Sequence, residues 1–528
     1  MLRASFRSLV ALFSTCVLLL FTNGCGVEPT YSADPNSFDV IVYGATAAGV
    51  MAAAELASDK KYVLLLEGSS HIGGITTGGI THPDLNGSAD PIGGLAKKFF
   101  QDMRRRYGSP SWAYEAKGAQ AYLQSLLKNQ YISVHRSEPI LSVTKNGTRI
   151  SSVTTTGGEY QAQVFIDASY EGDLMQLAGV SYTVGRESSG AYGESWNGVQ
   201  SISRPISAKL DPYLQPGNPT SGLIPHVAPT APETPGSSDK HLMAYSYRLC
   251  VTNDPANRIS FAKPDDYDPK EFELLHRHSL AVAQSSGHEL ALSDVFSIWQ
   301  TVGKKYDLNG AGIMSTDDYG IGDGYPDGDS TTRDQISSEI ERYTRGLMWY
   351  ATTSTDLPAS FTSEMSSFGY CKDEFTENGG FPTQLYIREG RRMVGDTVLT
   401  QADVLGLTSV TDSIARGFYP VDSRRVQVFA QSGIVAQEGS MQHQVSGDYP
   451  ISYRAITPKA AEAANLLVPV CLSASHAAYD SLRVEPEFMV LGQAAGLAAF
   501  LAIDDQSDVQ TISYSRLRAK LLGRGFVL

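Results

Sequence analysis

The hydrophobic pattern is clearest just past the first three dozen residues. Phe38-Asp39-Val40-Ile41-Val42-Tyr43 is a run of β-branched and aromatic residues suited to a buried parallel strand. It leads into Gly44-Ala45-Thr46-Ala47-Ala48-Gly49 and then an alanine-rich stretch from Val50 to Ser58 with high helix propensity. Tyr62-Val63-Leu64-Leu65-Leu66 is a second buried strand, ending in Glu67. Tyr131–Val134 and Ile140–Thr144 read as further strands, with hairpin turns at Asn146-Gly147 and Gly157-Gly158. Val164–Ser169 reads as a returning central strand. Ser330–Thr352 carries Ile336, Ile340, Tyr343 and Leu347 on one helical face. Val490-Leu491-Gly492-Gln493-Ala494-Ala495-Gly496 opens a helix of small residues running to Ala502. Residues 186–240 are rich in Gly, Pro and Ser and predict long loops.

The order strand, glycine turn, helix, strand, acid carries a chemical implication. Gly44 permits a tight turn, Gly49 lets the helix pack closely, and the helix N-terminus offers free N–H groups to a pyrophosphate. Glu67 stands where a carboxylate accepts hydrogen bonds from a ribose diol. Thr46 replaces the middle glycine of the usual dinucleotide pattern, and its hydroxyl is expected to crowd the pyrophosphate or donate to it. After Glu67 the chain stays glycine-rich through Gly68-Ser69-Ser70-His71-Ile72-Gly73-Gly74-Ile75-Thr76-Thr77-Gly78-Gly79, as a backbone does when it approaches a long cofactor.

The N-terminus has a different character. Arg3 and Arg7 precede an apolar stretch from Leu9 to Phe21, too short for a spanning helix and suited to a secretory signal. The segment closes on Thr22-Asn23-Gly24-Cys25, which resembles a lipoprotein signal in which Cys25 is lipidated. Residues 27–37 then read as a polar tether. Across the 528 residues, 42 basic and 56 acidic side chains give a formal charge of −14, and no Lys/Arg run offers a nucleic acid a basic stripe. Cys250, Cys371 and Cys471 are far apart without CxxC spacing, so free buried thiols are expected. The acidic loop Asp323–Asp329 lacks calcium-loop spacing and reads as a solvated turn; no metal site is expected.

The stretches DVIVYGATAAGVMAAAELA, LLLEGSSHIGGITTGGI and VFIDASYEGDLMQLAGVSYTVGRE resemble a family of exported bacterial FAD-dependent oxidoreductases, some of them labelled xanthan lyase. The likeness continues through YRLCVTNDPANR, KDEFTENGGFPTQLYIREGRRMVGD and LLVPVCLSASHAAYDSLRVEPEFMVLGQAAGLAA. In outline it extends to succinate dehydrogenase and fumarate reductase flavoproteins. It implies an α/β chain: a Rossmann-type, glutathione-reductase-like FAD-binding domain with a parallel sheet and β-meander, plus an α+β substrate or cap domain. The expected division is a signal over 1–24, a lipidated tether over 25–37, FAD-binding segments over 38–185 and 441–528, and a cap over 186–440.

The resemblance places FAD against Gly44, Thr46, Ala47, Ala48, Gly49, Glu67, Gly68, His71, Gly73, Gly74, Thr77 and Gly78. Ile140, Asp167, Ala168 and Ser169 would contact it from the meander and the returning strand. Gly492 and Ala495 belong to the helix that, by the same likeness, points its N-terminus at the flavin. His71 also resembles a flavin-linked histidine, which leaves covalent attachment open. His476 is the expected base, with Arg388, Arg483 and Tyr386 as further catalytic candidates. His82 is expected near the flavin edge.

The expected reaction is dehydrogenation of a CH–OH or similar C–H centre of a small molecule or saccharide, with hydride passing to flavin N5 and electrons going on to an unassigned acceptor. The rival readings are a non-catalytic surface lipoprotein that binds glycan or a partner, and a polysaccharide lyase or hydrolase. The expected location is the periplasm or cell surface, with membrane contact only through the lipid anchor and no nucleic-acid partner.

Overall fold

The computed structural model describes residues 35–85, 88–201, 209–445 and 447–528. The expected signal, Cys25 and the tether up to residue 34 lie outside the described residues.

The first strand, β1 (Ser37–Tyr43), sits in the middle of the main sheet, flanked on one side by β2 (Val63–Glu67) and β3 (Ile132–Arg136), all parallel. Its other neighbour is β6 (Glu159–Asp167), also parallel to it. β4 (Ile140–Asn146) and β5 (Arg149–Thr155) complete an antiparallel meander that ends in β6. The two halves of β6 have different partners. Residues 159–161 pair with β5, whereas Phe165 and Ile166 pair in parallel with the strand Leu466–Leu467. The C-terminal part of the chain thus returns to the same sheet as its seventh strand. This agrees with the Rossmann-type expectation: Val63–Leu66 are buried on both faces, Val63 and Leu65 in the core that holds the alanine-rich helix after β1, Leu64 and Leu66 in the one that holds Ile140, Ile150 and Val153 of the meander.

Helix α1 (Ala47–Ser58) is almost wholly buried, which explains its lack of a polar face. It lies between the sheet and the helix Glu485–Asp504. That second helix is long and apolar enough to cross a membrane, yet it is a buried core helix here. The two approach closely because Gly492 faces Ala48; a Cβ on Gly492 would lie 2.2 Å from the Ala48 carbonyl oxygen. Gly492 is therefore a packing residue of this interface and Ala495 is fully buried, and neither lines the cleft described below, contrary to the expectation for them.

A second, five-stranded antiparallel sheet is built by Phe296–Gln300, Lys305–Gly310, Leu249–Thr252, Gly369–Cys371 and Arg258–Ile259, in that order. The amphipathic helix runs from Ser330 to Thr353, capped by Asp329, whose carboxylate accepts from Thr332 N–H at 2.8 Å. Cys250 and Cys371 form a disulfide between adjacent strands, which corrects the expectation that they are free; only Cys471 is free among the described residues. The sequence hid this pairing because 121 residues separate the two cysteines and only the strand pairing brings them together. In the acidic loop, Asp323 accepts from Leu242 N–H and faces His241, while Asp327 pairs with Arg391.

Candidate functional site

Two cavities share one wall. The first is a cleft of about 390 Å³ at the C-terminal ends of β1, β2 and β6, the edge at which open parallel sheets bind ligands. Gly44, Thr46, Glu67, Gly68, His71 and Gly74 line one side, with Ser169 and Tyr170 from the end of β6. Tyr325 and, from the helix Ser330–Thr353, Arg333 and Ser337 face them, together with Thr383, Gln384 and Leu385. Arg333 ties this helix to the segment after β6 through a two-pronged ion pair with Asp173 at 2.6 and 2.8 Å.

The glycine turn does what the pattern implied. Gly44 sits at φ +91°, and a Cβ there would lie 2.5 Å from the Ser169 amide nitrogen. Glu67 accepts hydrogen bonds from Ala45 N–H at 2.7 Å and Ser69 N–H at 2.8 Å, and burial raises its carboxyl above the usual range. Thr46 caps α1, accepting from Gly49 N–H at 3.3 Å, while its hydroxyl donates to the Ala168 carbonyl at 2.7 Å. That hydroxyl is already committed to the protein and does not serve as a free phosphate donor. Ala47 and Ala48 are fully buried and contribute only the backbone of the first helical turn, whose N–H groups have no partner within the helix.

The glycine-rich run closes over this turn. Gly73 N–H donates to the Ala45 carbonyl at 2.7 Å. Thr77 bridges the Ile72 carbonyl at 2.6 Å and His71 Nε2 at 2.8 Å, while burial lowers the His71 pKa and favours a neutral ring facing the cleft. The Gly78 carbonyl accepts from Thr383 and Gln384 N–H, tying the run to that segment of the opposite wall. Ile140 packs in the core beneath the sheet, and its neighbour Pro139 reaches the cleft. Asp167 does not line it. Its buried carboxylate, raised to about 6 by burial, accepts from Ser169 N–H and Oγ and from Met175 N–H, which fixes the loop presenting Ser169.

The second cavity, about 200 Å³, brings together Tyr386, Arg388 and Arg483, three of the four catalytic candidates. Arg483 donates to the Tyr386 hydroxyl at 3.2 Å, and the Arg388 guanidinium lies 4.6 Å from the Tyr386 ring centre. Asp84, Arg248, Trp299, Tyr419, Asp422 and Arg424 complete much of the lining. Sequence reading missed these residues because they come from separate segments with no shared spacing. Thr383, Gln384 and Leu385 line the cleft, whereas Tyr386 and Arg388 line the cavity. Likewise Tyr247 lines the first and Arg248 the second. The two segments are joined at a Ser246–Tyr386 bridge. His82 stacks on Trp299 at 5.6 Å, beside the cavity.

His476 lies in neither space. Its ring is 1% exposed, with Nδ1 3.0 Å from the Glu389 carboxylate and Nε2 3.4 Å from Asp480. Burial opposes a charged ring, but Asp480 and Glu389 outweigh it and raise the pKa to about 9. A histidine charged at neutral pH and enclosed by two acids is not an available base, so the expectation for His476 is corrected. It is a structural cation.

The cleft suits FAD at its adenosine and pyrophosphate end, as the Glu67 carboxylate and the Gly44 turn show. At the other end, Glu485 occupies the first turn of the final long helix and accepts from Thr76 Oγ1 at 2.5 Å and Tyr170 Oη at 2.7 Å. Burial raises this acid to about 7. The helix N-terminus therefore reaches the cleft wall through the Glu485–Tyr170 pair, with Tyr170 itself part of that wall.

Among solved structures, thioredoxin reductase from T. acidophilum is 20% identical, the match covering 25% of this chain and 35% of that one at a TM-score of 0.18. Glycine oxidase from Geobacillus kaustophilus is 14% identical over 29% of this chain and 63% of its own, with a TM-score of 0.22. For L-proline dehydrogenase from P. horikoshii the values are 18%, 29%, 24% and 0.19. The chain thus matches less than two thirds of the length of each. No curated protein matches it. The family described as FAD dependent oxidoreductase matches residues 39–521, from the first strand to the last helix. The chain belongs to this family.

Proposed function

We propose that this FAD-dependent oxidoreductase dehydrogenates a CH–OH or similar C–H centre of a small molecule or saccharide held in the arginine-lined cavity. The carrying observation is the shared wall: in two joined chain segments neighbouring residues divide between the two spaces, Tyr247 and Leu385 lining the cofactor cleft, Arg248 and Tyr386 the cavity. Glu67, the Gly44 turn, the first turn of α1 and Ser169 would hold FAD, which when bound supplies the two-electron sink for the hydrogen leaving carbon. In the substrate a C–H and an O–H bond break and a C=O bond forms, so one proton must be taken up locally. Asp84 is the group for this. It is half-buried, desolvation raises its carboxyl above the usual range, and it faces the cavity. Arg388, Arg483 and Tyr386 orient the substrate.

The test is anaerobic mixing of the flavin-loaded enzyme with a panel of alcohols and sugars, read as bleaching of flavin absorbance. Asp84→Asn is expected to keep its FAD while bleaching slows at least 100-fold with the compound that bleaches wild type. Equal rates in both would overturn the assignment of Asp84.

Export with lipid attachment at Cys25 belongs to the same proposal. It is supported by the Cys250–Cys371 disulfide, a bond that persists in oxidising compartments. Labelled palmitate incorporated into wild type and lost in Cys25→Ser is the expected result; equal labelling refutes it.

A further inference from the structure

We propose that the arginine-lined cavity takes a small hydroxylated carboxylate as the enzyme's substrate, an inference resting on the reading that FAD occupies the adjoining cleft. The guanidiniums of Arg248, Arg388, Arg424 and Arg483 converge on one space of about 200 Å³. Asp307 pairs with Arg248 at 2.8 Å. Asp317 is shared, 3.0 Å from Arg388 and 2.8 Å from Arg424. Asp422 reaches Arg483 only at 3.5 Å. Three carboxylates are thus ion-paired to the four cations, with Asp317 shared between two of them, and the fourth acid, Asp84, lines the same cavity without an ion pair to any of them among the described residues. Arg483 is 4% exposed, yet its Nε has no hydrogen-bond partner among the described residues. Burial lowers the Arg388 pKa to about 10, the opposite direction from its three neighbours in the cavity, Arg248, Arg424 and Arg483.

A guanidinium taken out of water without a full counter-charge is costly, and a planar carboxylate is the anion whose two oxygens match its fork. The remaining lining suits hydroxyls. Asp84, Asp422 and Asn309 offer acceptor oxygens, Ser297 and Gln442 offer both roles, and Trp299, 39% exposed, gives a flat apolar face beside them. The volume lies below the roughly 300–1,000 Å³ typical of drug-sized ligands, which favours a small molecule over a polymer segment.

D-Gluconate and D-glucitol make a suitable probe pair, since they differ by a carboxylate in place of a CH₂OH. Titrated into the flavin-loaded protein and followed by tryptophan fluorescence, gluconate is expected to bind at least ten-fold more tightly. Arg424→Gln should lose that preference at unchanged FAD content, and Arg424→Lys should restore part of it. Gln442→Glu, at an exposed position and so safe for folding, should weaken gluconate and spare glucitol. Equal binding of the two probes, or a preference for glycerol 3-phosphate over gluconate, overturns the inference. A flavin-loaded chain indifferent to the carboxylate refutes the cavity assignment and leaves the oxidoreductase reading intact. A chain that selects gluconate but takes up no FAD refutes that reading instead.

Discussion

Replacing His476 by glutamine separates a structural cation from a catalytic base. The folded ring titrates at about 9 against an ordinary 6.5. That rise corresponds to a stabilisation on the order of a few kcal/mol, at roughly 1.4 kcal/mol per unit. Because the folded pKa is raised, this stability is fully present below pH 6.5 and is lost as pH rises through 9. Asp480 has the opposite sign: burial raises its carboxyl, so it costs stability increasingly as pH climbs above the ordinary carboxylate range. Because the charged ring holds the Asp480 carboxyl down, the histidine is isolated in an Asp480→Asn background, as Asp480→Asn minus Asp480→Asn/His476→Gln between pH 6.5 and 9.5. Urea unfolding should show the difference shrinking by about 1.4 kcal/mol per pH unit where the ring is neutral only in the unfolded chain. Both proteins should retain FAD. Parallel pH profiles would refute the argument, as would a folded variant that keeps its FAD and has lost flavin reduction altogether.

Other outcomes follow from the same geometry. Glu67→Gln should weaken FAD binding about ten-fold or more, by loss of charge-assisted hydrogen bonds worth about 1.5–3 kcal/mol, read as flavin released on dialysis; full retention would detach Glu67 from the cofactor. Gly492→Val should wedge the final long helix away from α1, because even its Cβ would fall 2.2 Å from the Ala48 carbonyl oxygen. Overpacking of this kind costs about 1–3 kcal/mol, seen as a lower Tm, and an unchanged Tm would contradict the close approach. Reducing Cys250–Cys371, or replacing both cysteines by serine, should cost about 2–5 kcal/mol, with the bridged peptide pair identified by mass spectrometry of the unreduced digest.

The cofactor half was legible because its signals are local. A strand, a glycine turn, a helix and an acid follow one another within 30 residues, and each constrains its neighbour directly through turn geometry and burial. The hairpin turns at Gly147 and Gly158 were legible for the same reason. Distant relations were not. Nothing near His476 in the chain announces Glu389, 87 residues away, or shows that Asp480, one helical turn on, points at the same ring. A histidine before a helix therefore looked like a base until the fold enclosed it between two acids. Gly492 and Ala495 likewise matched a cofactor helix, although small residues serve a close helix crossing equally well.

Local order along the chain was sufficient to specify the glycine turn and the meander, since those features depend on neighbours in sequence, while the oxidoreductase family was legible through the resemblance of motifs spread over the chain. The pairing of Cys250 with Cys371, the enclosure of His476 and the gathering of four arginines around one cavity were decided by tertiary structure alone. Charge, burial and disulfide geometry depend on which remote segments meet, and only the completed packing of the chain brings those segments together.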